Sequence, residues 1–130
     1  MKLWLDDVRK PPDESYVWCK TAAEAFHLTC KHGPENIEFY LDHDLGGQLA
    51  HYGKGPYDNE APTGLDFLKW FVEDNCPLKK VTIHSTNLSG VLQMMIHLYQ
   101  EAVRLDVETE IIIRPLQGRI MDKTPYYEDR

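Results

Sequence analysis

Several short apolar runs in this chain are apolar at consecutive positions rather than alternate ones, among them "LWL" at residues 3–5 and "III" at 111–113. A strand with one face in water alternates apolar and polar side chains, so unbroken runs ask for cover on both faces, the habit of parallel sheets. Five runs read as strands: Lys2 to Leu5, Tyr16 to Trp18, Ile37 to Leu41, Lys80 to Ile83 and Glu110 to Ile113. Three helical patterns lie between them. Thr21 to His32 opens with the capping-box pair Thr21 and Glu24 and stops at Gly33-Pro34. Thr63 to Asp74 places Leu65, Leu68 and Val72 on one stripe. Ser89 to Leu105 carries Leu92, Met95, Tyr99 and Ala102 at helical spacing, a stripe expected to face the core. Joined by right-handed crossovers, this order implies an open, mostly parallel α/β sheet.

Composition narrows what such a sheet can be for. At 130 residues, 42% hydrophobic and 27% charged, the chain suits one ordinary globular domain. A net charge of −7 argues against wrapping nucleic acid or an anionic membrane, although a local basic pocket can still hold one phosphate. No apolar run approaches the ~18 residues of a membrane span, and "MKLWLDDVRK" lacks a signal-peptide pattern. Cys19, Cys30 and Cys76 are odd in number and far apart, as expected of reduced thiols in a cytoplasmic protein. His27, Cys30 and His32 fall on a helix where positions 27 and 32 do not share a face, so they are not read as a metal site.

Ligands of open α/β sheets bind outside the carboxyl ends of the strands, so the residues just past each run matter most. The first run ends in Asp6-Asp7, with Arg9 close behind; the third ends in Asp42-His43-Asp44 and then two glycines. The fourth ends in His84-Ser85 with Asn87 nearby, and the fifth in Arg114-Pro115. Polar turns alone rarely gather three strand-terminal carboxylates, two histidines and an arginine on one rim. Clustered carboxylates repel unless a cation neutralises them or one is protonated. Asp6, Asp7 and Asp42 are hard oxygen ligands suited to Mg²⁺ or Mn²⁺. Arg9, Arg114, Ser85 and Asn87 can bind phosphate oxygens. The set asks for a phosphate-bearing ligand.

These residues resemble the receiver domains of two-component signalling: the acidic pair after "LWL", Asp42 at the phosphoacceptor position, Thr63-Gly64 opening the next helix, Ser85 after the fourth strand and Arg114-Pro115 in place of Lys-Pro. The chain is more closely similar to a divergent branch, the cyclic-phosphate processing receiver domain family of bacteria and phages. "LDDVRKPP", "LDHDLG", "TGLDFLKW" and "HSTN", with Gly90 and Met94 beyond them, carry that likeness over roughly residues 2 to 116. It implies a flavodoxin-like, five-stranded parallel sheet of order 2-1-3-4-5, formed by residues 1–117, with residues 46–62 as an inserted loop over the site and 118–130 as a tail. "VRKPPDES" is too short and proline-rich for the helix that receivers place after strand 1, and no helix is evident after Arg114. With both missing, one sheet face would bare Leu3, Trp4 or the isoleucines. The 46–62 loop, the tail or a second subunit should then cover it, and a homodimer through that face is one expectation.

The expected activity is a phosphoesterase that opens a cyclic phosphate on a nucleotide or an RNA end. Asp42 would help hold the metal, His84 or His43 would protonate the leaving oxygen, and Asp44 would orient a histidine or complete the metal shell. Arg at 114, where receivers have Lys, favours gripping a substrate phosphate. Two other functions fit the same residues: a phosphoacceptor switch at Asp42, and a non-catalytic nucleotide-binding module.

Overall fold

A computed structural model describes residues 1–45, 62–72, 76 and 78–114. Five parallel strands, β1 (Lys2–Leu5), β2 (Tyr16–Cys19), β3 (Glu38–Leu41), β4 (Lys80–Ile83) and β5 (Glu110–Ile113), form one sheet of order β2-β1-β3-β4-β5. Helices α1 (Ala22–His32), α2 (Gly64–Val72) and α3 (Leu88–Leu105) pack in a row, α2 touching both neighbours. This is the receiver-like arrangement expected. The stretch from Asp6 to Ser15 contains no helix. The anticipated loop at 46–62 lies outside the described residues apart from Pro62, and the tail lies outside them entirely.

Local chemistry sets the helix boundaries. Thr21 caps α1, its hydroxyl accepting from the Glu24 amide at 3.1 Å, while a Glu24 carboxylate oxygen accepts from the Lys20 amide. At α2 the pair is fully reciprocal: the Thr63 amide donates to an Asp66 carboxylate oxygen at 2.9 Å, and the Asp66 amide donates to the Thr63 hydroxyl at 3.2 Å. Asn87 caps α3 by accepting from the Gly90 amide at 2.9 Å.

The core lies between sheet and helices. Leu3, Leu5, Phe39, Leu41, Val81 and Ile83 point into it from the strands, meeting Ala25, Phe67, Leu68, Phe71, Met94 and Leu98. Leu3 therefore belongs to the helix-covered face, contrary to the expectation that it would be bared. The opposite face presents the alternate residues, Trp4, Tyr40, Thr82 and Ile112, in register across four strands. Trp4 is 2% exposed there. It stacks on His84 at 4.2 Å, meets the edges of Tyr16 and the face of Tyr40, and donates its indole N–H to the Arg9 carbonyl at 2.7 Å. The proline-rich segment and an aromatic cluster thus shelter Trp4, in place of a helix.

On α3 the expected stripe is corrected. Val91, Met94 and Leu98 are buried, whereas Leu92 and Tyr99 are exposed and Met95 and Ala102 are only partly covered. The apolar arc of this helix is wide enough to hold two stripes of helical spacing, and periodicity cannot choose between them.

Candidate functional site at the carboxyl rim

Each of four strands hands its next residue to one further rung of the ladder. The amides of Asp42, His84 and Arg114 donate to Leu5, Leu41 and Ile83 at 2.9 Å, and that of Asp6 donates to Cys19 at 3.1 Å. Asp6, Asp42, His84 and Arg114 therefore form a transverse row across the carboxyl edge. By the two-residue alternation, they lie on the same side of the sheet as Trp4 and Tyr40.

Asp6 is the most heavily bonded member. One carboxylate oxygen accepts the amides of Val8 and Arg9 at 2.9 and 2.8 Å, bending the chain out of β1. The other meets Arg9 Nε at 3.1 Å and His84 Nε2 at 3.2 Å. Burial works to raise this carboxyl, but His84 and Arg9 outweigh it and hold Asp6 below the ordinary carboxylate range. Asp42 is pushed the other way. Burial first, and the Asp6 charge second, lift it well above its ordinary range, against the pull of Arg9, the His43 amide and Ser85. Asp7 completes a group of three carboxylates whose oxygens lie within 4.8 Å of one another. Burial also lowers the pKa of His84 and favours neutral imidazole.

The guanidinium seated on these carboxylates is that of Arg9, which reaches Asp42 at 3.5 Å as well as Asp6. Its position two residues beyond Asp7 is set by the Asp6 turn. Arg114 stands at the β5 end of the row, placed by its backbone bond to Ile83.

Beside the carboxylates lies a second polar chain. His43 Nδ1 is 2.7 Å from an Asp44 oxygen, and the Asn87 amide donates to that same oxygen at 3.0 Å. The Asn87 oxygen is meanwhile committed to the α3 cap, so both ends of its amide are occupied. The Ser85 hydroxyl accepts from the backbone amide of Asn87 at 3.0 Å and also bonds Asp42. Asp44, which sequence leaves open between turn residue and helper, lies in this chain; Ser85 and Asn87 brace the site from within.

Sequence reasoning passed over Trp4 as a support for the site and over the close approaches at two glycines. A Cβ at Gly64 would lie 2.0 Å from the Asp42 carbonyl oxygen, and one at Gly90 would lie 2.5 Å from the His43 ring. Thr63-Gly64 and Gly90 entered the sequence reading only through the family likeness, and nothing local revealed what approaches those backbones.

No curated protein and no solved structure matches the chain. The family described as the cyclic-phosphate processing receiver domain matches residues 1–100, which includes every rim residue named above except Arg114. With a receiver-like sheet, its acidic rim and this match in agreement, the chain belongs to the cyclic-phosphate processing receiver domain family.

Proposed function

We propose that the chain hydrolyses a cyclic phosphate, on a nucleotide or an RNA end, with Mg²⁺ or Mn²⁺ held by Asp6, Asp7 and Asp42. The observation that carries this reading is the aimed imidazole beside the carboxylate cluster: His43 on Asp44, with Asn87 bracing Asp44. A phosphoacceptor needs the carboxylates, but it has no use for a positioned imidazole.

The donor set fits a hard divalent cation. Three carboxylates converge, and Asp42 resists ionisation because of burial and the Asp6 charge, a conflict that added positive charge relieves. Such an ion supplies polarisation of a phosphoryl oxygen and a more acidic water. The chain's own groups do the rest. Ring opening requires a proton on the departing ribose oxygen. The Asp44 carboxylate holds one ring proton on Nδ1, so the proton that His43 gives to the departing oxygen is the second one of its imidazolium form, carried on Nε2, and the ring is left with its Nδ1 proton. His43 is 13% exposed and His84 is fully buried, so the acid role goes to His43. His84, stacked on Trp4, holds Asp6 in place and keeps it ionised. Arg9 and Arg114 balance the phosphate charge, with Ser85 steadying Asp42.

The test is turnover of a panel of 2′,3′- and 3′,5′-cyclic nucleotides and cyclic oligonucleotides, with Mg²⁺, with Mn²⁺ and with chelator. Turnover of one member that Asp42→Asn and His43→Ala abolish is the expected result. Tight binding without turnover would replace the reading with a sequestering module. Acid-labile labelling of Asp42 by acetyl phosphate, without turnover, would replace it with a phosphoacceptor.

A further inference from the structure

The residues left outward on α3 form a continuous stripe. Leu88, Leu92, Ile96, Tyr99 and Val103 recur at intervals of four, four, three and four, and they are between 44 and 71% exposed. Those fractions amount to roughly 600 Å² of apolar surface, the top of what monomers ordinarily leave in water and near the ~800 Å² per partner of a specific interface once a polar rim is added.

We propose that α3 pairs antiparallel with α3 of a second copy of this chain, about a two-fold axis at Ile96. The stripe is close to symmetric about that residue. Turned end for end, Leu88 of one copy meets Val103 of the other, Leu92 meets Tyr99, and Ile96 meets itself, as an isologous contact requires. Shape agrees with this. A cleft of about 580 Å³, lined by Tyr99, Ala102, Val103, Val107 and Ile111 among others, opens where the partner's Leu88, the most exposed member, arrives.

Charge selects the antiparallel sense and the second copy as occupant. Asp106, Glu108 and Glu110 border the cleft, while the first turn of α3 carries no acidic residue to answer the positive end of its dipole. Antiparallel pairing brings each copy's acidic border to the other's helix N-terminus. It also separates the two acidic borders by about the 27 Å length of an 18-residue helix, well beyond salt screening. A parallel pair would oppose them. Along the flanks, Gln93 and Gln100 are neutral and Arg104 is paired with Glu101 at 2.6 Å, so no like charges face one another. The pairing does not depend on the activity proposed above.

Sedimentation equilibrium across about 1 to 200 µM tests it, together with a cross-link at the axis. The wild type should sediment as a dimer of 15.1 kDa chains. Ile96→Glu, which puts two carboxylates at the axis on a half-exposed helical position, should weaken the dimer by at least about 100-fold with an unchanged circular dichroism spectrum. Ile96→Cys in a Cys30→Ser background should oxidise to a covalent dimer. A wild-type monomer throughout the range, even with the stripe later found to hold another protein, overturns the proposal. So does a dimer that Ile96→Glu leaves intact, because its contact would then lie elsewhere.

Discussion

Replacing Gly64 by alanine puts a methyl group 2.0 Å from the Asp42 carbonyl oxygen and 3.0 Å from its carbon. Both are backbone atoms at the end of β3, and neither can rotate away. The Gly64 amide also donates to the His43 carbonyl at 2.8 Å, so relief means parting α2 from the rim by more than an ångström. Overpacking costs about 1–3 kcal/mol, and a backbone clash falls at the top of that range. At a urea slope of about 2 kcal/mol per M, the midpoint should fall by roughly 1.5 M. Gly90→Ala is the contrast. Its methyl group meets the His43 ring at 2.5 Å, a side chain that can swing, and alanine in place of glycine favours helix by about 0.5–1 kcal/mol. Neither glycine has positive φ, so conformation does not confuse the comparison. Gly90→Ala should keep its midpoint within about 0.5 M of wild type while displacing His43 from Asp44, visible as a changed imidazole resonance and lost turnover. Urea melts by circular dichroism and imidazole NMR read both variants. A Gly64→Ala midpoint within about 0.3 M of wild type, or equal damage from the two, would refute the reasoning.

The rim supplies two further predictions. Asp42 has a folded pKa raised by burial and by Asp6, so its contribution is fully present below its ordinary 3.8 and lost as pH rises through the folded value. In chelator at pH 7.5, Asp42→Asn should therefore melt above wild type, with the advantage shrinking toward pH 4; a variant equal to or below wild type at pH 7.5 defeats this account. Asn87→Ala should lose about 1 kcal/mol with the α3 cap, and Asn87→Ser should regain most of it. The serine hydroxyl cannot also reach Asp44, so turnover should stay low in both, and a fully active serine variant would remove Asn87 from the site.

Strand positions, the order of elements and the residues that end each strand were legible in the chain because they are local properties. Apolar runs, capping pairs and breakers lie within a few residues of what they determine, and parallel crossovers then send Asp6, Asp42, His84 and Arg114 to one edge. To that extent "LDDVRK", "LDHDLG", "HSTN" and Arg114-Pro115 determined the row by themselves. Tertiary structure decided the rest. Leu3 faces the helices and Trp4 the other side because that choice depends on where α1, α2 and α3 pack. α3 hides Val91, Met94 and Leu98 rather than Leu92 and Tyr99 for the same reason, since one helix carried two apolar stripes. The partners of the rim's polar groups are likewise non-local. His84 meets Asp6 across 78 residues of chain, and Asn87 reaches Asp44 across 43. Charge states at a rim depend on such through-space distances, so the order of residues could name the titrating groups, and only folding could assign Asp6 its ionised form and Asp42 its reluctance to ionise.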